Sequence, residues 1–138
     1  MSFSLNVTAD DWEQWRGPNR DGISKETGLI KTWSGDGPRV LWRKQIGDGF
    51  SSTSIVKDKL YTSWEEEMIE YILCLDGITG EELWKVKVDS AFEDSWANGP
   101  RSTPTIDNNM AYFVSGRGKC YAVQAMDGHI IWSHDFIK

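Results

Sequence analysis

From Pro38 onward the chain is built of short runs in which apolar and polar residues alternate, separated by clusters of turn formers. That period of two predicts strands with one buried face. Arg39–Ile46, carrying Val40, Trp42 and Ile46, reads as a strand that ends at Gly47-Asp48-Gly49. Thr53–Val56 and Leu60–Trp64 flank the tight turn Lys57-Asp58-Lys59, a hairpin signal. Ile69–Leu75, the turn Gly77-Ile78-Thr79-Gly80 and Glu82–Val88 follow. The same order then returns: Ser102–Ile106, the turn Asp107-Asn108-Asn109, Met110–Ser115, the turn Gly116-Arg117-Gly118, Lys119–Ala125, Met126-Asp127-Gly128 and His129–His134. Helical patterning is weak. Only Ser90–Asn98 could make a helical turn, and Gly99-Pro100 would end it.

The two sets of strands are copies. Residues 72–84 and 120–132 each run from an alternating apolar strand through a glycine turn to a closing Trp. Trp42, Trp84 and Trp132 stand 42 and 48 residues apart, a spacing that fits the blades of a β-propeller. A β-sandwich also has regular short strands, but it needs no Trp and glycine turn at recurring positions. The predicted fold is therefore all-β, with four-stranded antiparallel blades. A closed propeller uses about 4 to 8 blades. Two units and partial strands amount to two or three blades of an incomplete propeller, which predicts a piece of a longer protein. The alternative is a short chain that closes a ring with further copies of itself.

The segment before the blades reads differently. Residues 10–38 hold Gly17-Pro18-Asn19, Asp21-Gly22 and Ser34-Gly35-Asp36-Gly37-Pro38, and keep neither period. They predict a loop-rich lead pinned by Trp12, Trp15 and Trp33. Residues 1–9 read as either a disordered start or the remnant of a signal peptide, and residues 39–138 as the blades, with units at about 42–84 and 84–132. Eight Trp among 138 residues supply repeated packing anchors. A net charge of −6 argues against a nucleic-acid partner. No apolar run reaches the roughly 20 residues of a membrane helix. Cys74 and Cys120 lie in apolar strands without metal spacing and read as buried reduced thiols.

Leu75-Asp76, Thr79-Gly80 and Trp84 give the blade a recognisable signature, which Gly128 and Trp132 keep while Gln124 and Asp127 replace Asp76 and Thr79. With Ser52–Val56, Ser102–Ile106 and the lead Trp12-Glu13-Gln14-Trp15-Arg16-Gly17-Pro18, this resembles the pyrroloquinoline-quinone (PQQ) repeat propellers. That group includes outer-membrane-assembly propeller lipoproteins and quinoprotein alcohol dehydrogenases. The resemblance covers residues 12–135 and implies a periplasmic or secreted protein. It also implies blade-docking roles for Trp42, Trp84, Trp132, Gly80, Gly128 and Asp76: the glycine allows φ > 0 in the turn, Asp76 or Thr79 caps it, and the Trp docks on a neighbouring blade.

A dehydrogenase of this group would need PQQ between a Trp floor and a disulfide of adjacent cysteines, with Ca²⁺ on Glu and Asn oxygens. The cysteines here are 46 positions apart, so no cofactor is expected in this segment. PQQ and calcium enter only if the full propeller is a dehydrogenase. Arg16 and Arg101, each beside a Gly-Pro pair, are candidate ligand contacts, since Arg makes bidentate contacts to carboxylates, though either could instead brace its loop. Asn98 and Trp96 join them as candidates. Trp64 and Trp96, read as loop residues outside the Trp repeat, could serve a carbohydrate-binding propeller. Glu65-Glu66-Glu67 and Glu70 read as a solvated hairpin tip, and His129 and His134 as solvent-facing. The function read from these residues is a non-catalytic binding or assembly scaffold outside the cytoplasm. Its partners would be further blades, other copies, a protein or a polysaccharide. The alternative is part of a PQQ-dependent alcohol or sugar dehydrogenase.

Overall fold

A computed structural model describes residues 9–33 and 35–138. The reading of residues 1–9 and the role of Ser34 in its turn fall, Ala9 apart, outside the described residues. The chain forms two four-stranded antiparallel sheets in simple meander order: β1 (Ser54–Val56), β2 (Lys59–Glu66), β3 (Ile69–Asp76), β4 (Glu82–Ser90), then β5 (Thr105–Asp107), β6 (Met110–Val114), β7 (Lys119–Gln124) and β8 (Ile130–Asp135). These are two blades of a propeller. The hairpins are tight because their two central residues take left-handed φ: Lys57 and Asp58, Glu67 and Met68, Asn108 and Asn109.

Alternation along the strands gives each sheet two working faces. On the first sheet, Trp64, Leu73 and Leu75 form one apolar face, with Leu60 and Trp42 packed against it. The opposite face, with Tyr61, Ile72, Cys74, Trp84 and Val88, packs on Ile106, Ala111, Phe113, Tyr121 and Val123 of the second sheet. This inter-sheet layer is the main core. Tyr61 and Trp84 meet within it at a centroid distance of 6.0 Å, and burial of a ring of that size contributes a few kcal/mol.

The lead ties the blades together at one edge. Trp12 exchanges hydrogen bonds with Ile55 of β1 (2.7 and 2.9 Å), and the next carbonyl, Glu13, accepts the N–H of Ile106 in β5 (2.8 Å). Trp15 and Trp33 are exposed and pin nothing. Pinning by the lead therefore rests on Trp12.

Several sequence expectations are corrected. Arg39–Ile46 is not a strand: its backbone has no ladder partner, and Val40, Leu41 and Ile46 are exposed. Ser90–Asn98 contains no helix, because β4 runs to Ser90 and a loop follows. Trp64 is not a loop residue but lies on β2, 5% exposed. Glu65 and Glu70 are buried, not solvated. Both cysteines are free, Cys74 buried and Cys120 half-buried. Burial pushes the Cys74 thiol up to about 11.

Candidate functional site

Two kinds of site residue occur: those at the seams between layers, and those on the loops at one end of the sheets. The seams repeat with close geometry. Trp42 lies over Gly80, where an added Cβ would sit 2.6 Å from the ring, and its indole N–H donates to the Gly77 carbonyl at 3.0 Å. Trp84 lies over Gly128, where a Cβ would meet its ring at 2.8 Å, and its N–H donates to the Ala125 carbonyl at 3.1 Å. Both glycines have φ near 75° (75° and 76°), so they answer two demands at once, left-handed backbone and bare space.

Each notch is shaped by its own turn. Asp76 accepts the N–H groups of Ile78 (2.9 Å) and Thr79 (2.7 Å), and Thr79 Oγ1 accepts that of Glu81 (3.3 Å). The amides of Thr79 and Ile78 hold the Asp76 carboxyl below its ordinary range. In the second copy Asp127 accepts the N–H of His129 at 3.0 Å, in the place of the Thr79 contact. The main chain is unchanged: Gly80 donates to Asp76 O and Gly128 to Gln124 O, both at 2.8 Å. Trp132 occupies the corresponding position on β8, opposite Ala122, and lies near Tyr112. It is 45% exposed, against 8% for Trp84.

The other end of the sheets carries the β2–β3 and β6–β7 turns and the connection from β4 to β5. There the structure brings together three of the four candidate ligand contacts. Arg101 is held between the rings of Phe50 and Phe92, each 5.3 Å from the guanidinium carbon. Its Nη2 donates to Ala97 O (3.1 Å) and faces Asp94 at 3.7 Å. Asn98 accepts the Asp94 N–H at 3.4 Å, and so bends the loop. Trp96 projects from the loop at 90% exposure, on the rim of a cleft of about 440 Å³ shared with Asp48, Phe50 and Asp94. Arg16 is elsewhere. It braces the lead by donating to Asp21 O at 3.0 Å and lies 5.4 Å from the Trp15 ring.

Residues to which the sequence reading gave no role at this site root the loop. Glu70 Oε1 accepts the N–H of Phe92 (3.1 Å), and Oε2 accepts that of Gly116 in the β6–β7 turn (2.9 Å). Asp89 accepts the Ser115 hydroxyl at 2.8 Å, and Arg117 Nε donates to Ala91 O at 3.3 Å. A signal for Glu70 was present: it shares the alternation phase of Ile72 and Cys74, which face the second sheet.

The residues do not fit a PQQ centre. The two thiols lie on strands of different sheets and are not joined. No group of three or more His, Cys, Asp or Glu with metal-holding geometry occurs among the described residues. Among the described residues, no helix is long and apolar enough to cross a membrane.

Two solved structures are similar to this chain. A europium-containing methanol dehydrogenase aligns with a TM-score of 0.55 and 16% identity, over 70% of this chain and 18% of its own. BamB from Moraxella catarrhalis aligns at 0.45 and 14%, over 59% and 22%. The chain thus spans about a fifth of the length of either, and at such identity the first likeness shows a shared propeller fold alone. No curated protein matches the chain. A family model does, across residues 26–137, and by that match the chain belongs to the PQQ_2 family, described as outer membrane protein assembly factor BamB.

Proposed function

We propose that this stretch of propeller serves as a non-catalytic binding and assembly scaffold outside the cytoplasm, and that its loop end is the surface that meets a protein partner. The observation that carries this reading is the exposed set formed by Trp96, Phe50 and the ring-clamped Arg101. Trp, aromatic and Arg side chains dominate the energetics of protein interfaces, and an Arg already held in place loses little entropy on binding. The family description, an outer membrane protein assembly factor, supports a periplasmic setting and a partner that is itself a protein. The docking roles of Trp42, Trp84 and Trp132, with Gly80, Gly128 and Asp76, belong to the same reading. They align blades so that loops from successive connections share one end.

The test is photo-crosslinking in cell envelopes, with a photoreactive phenylalanine at Trp96 and, as control, at Met126 on the turn end. A discrete protein adduct at position 96 and none at 126 is the expected result. Equal or absent adducts overturn it. Titration with PQQ and Ca²⁺ forms the second arm: saturable binding with dye-linked alcohol oxidation would establish the dehydrogenase alternative instead. Glycan binding lost in Trp96→Ala would replace the protein partner with a polysaccharide.

A further inference from the structure

Glu70 is a carboxylate with no exposed surface, set on the strand face that packs toward the second blade, in phase with the buried Ile72 and Cys74. A buried carboxylate is costly unless both oxygens are satisfied. Here each oxygen takes one main-chain N–H, and the two come from different places: Phe92 in the β4–β5 connection and Gly116 in the second sheet's turn. The clasp continues outward. Phe92 packs its ring on Arg101, and its carbonyl accepts the N–H of Gly99 at 2.9 Å, across the base of the loop that bears Trp96.

We propose that Glu70 is the positioning residue of the 92–101 loop, fixing where Trp96 and Arg101 stand by tying the loop's root to both blades. This inference takes its functional sense from the partner-surface reading above. Two neighbouring contacts, Asp89 with Ser115 and Arg117 with Ala91, hold the turn but do not reach Phe92. Among the described residues, Glu70 is the side chain that bonds the amides of both Gly116 and Phe92.

The clasp carries a proton signature. Burial raises the Glu70 carboxyl above its ordinary range, against the two amides that favour its charge; Asp89 across β4 adds to the rise and Arg117 opposes it. Glu65 opposite on β2 and Tyr121 on β7 are the other titratable groups facing it. Opening the loop returns Glu70 to water and to its ordinary value. Opening therefore releases a proton between that value and the raised one, so it becomes easier as pH rises through this window and level above it.

Hydrogen exchange by mass spectrometry, corrected for intrinsic rates and followed across that window, tests the proposal. In the unmodified chain, segments 92–101 and 116–118 should open more readily as pH rises, while 54–66 stays level. Glu70→Gln, which sets an amide NH₂ against a main-chain N–H, should speed exchange in those segments about tenfold and abolish their pH dependence. Unchanged exchange at 92–101, a uniform acceleration along the chain, or a pH dependence that survives in Glu70→Gln would overturn it. So would a level profile in the unmodified chain, which needs no variant to fold. Failure of the partner reading is separable: the exchange results would stand while position 96 yields no adduct.

Discussion

Trp84 and Trp132 are the same residue of the same repeat, yet one is buried and bonded and the other lies half open. Their strands, registers and cross-strand neighbours correspond: Trp84 faces Cys74, and Trp132 faces Ala122. What differs is the presence of a glycine notch across the seam. Burial in a repeat array is thus a property of the pair of neighbouring units, which is how stability in such arrays divides into unit and interface contributions.

The largest break in this comparison should come from truncation. Trp84→Ala empties a packed site and leaves the Ala125 carbonyl only the longer bond from the Tyr61 hydroxyl, 3.3 Å, and is expected to cost about 3–5 kcal/mol, with Trp132→Ala at about 1 or less. Urea unfolding of the two variants checks this, and equal costs would remove the distinction. The notch gives the next effect. Gly128→Ala forces a side chain into the Trp84 ring at positive φ and should cost about 2 kcal/mol or more. Gly28→Ala, at a similar φ with nothing within 4 Å, should cost about 1. Thermal melts separate the two. The smallest effect sharpens the turns. Asp76 sits below its ordinary range, so its contribution is present above the unfolded carboxylate value and is lost as pH falls through the folded one. Asp76→Asn should flatten the acid-side exchange of the Ile78 and Thr79 amides and leave the second turn, where Gln124 stands, as it was.

Much of this fold was legible because it is written twice. Alternation pointed to nine strands, eight of which form, and the recurrence of Gly and Trp at matched offsets gave blades rather than a sandwich. Arg39–Ile46 misled because β-formers set only a local preference: a strand needs a ladder partner, and none is offered to this segment. The acidic run misled because charge suggests solvent, whereas Glu70 sits in phase with Ile72 and Cys74 and is satisfied by amides distant in sequence. The loop cluster was half visible. Asn98, Arg101 and Trp96 could be named from their neighbours, but the rings that clamp Arg101 come from positions 50 and 92, and a sequence alone does not bring those together.

The dipeptide Trp12-Glu13 has a consequence for aggregation. β1 and β5 are three-residue edge strands, and unpaired edges template unwanted pairing between molecules. One short stretch of main chain covers both, through Ile55 and Ile106. Lifting it would bare these two edges together, so the cover of both sheets' first strands hangs on a single peel.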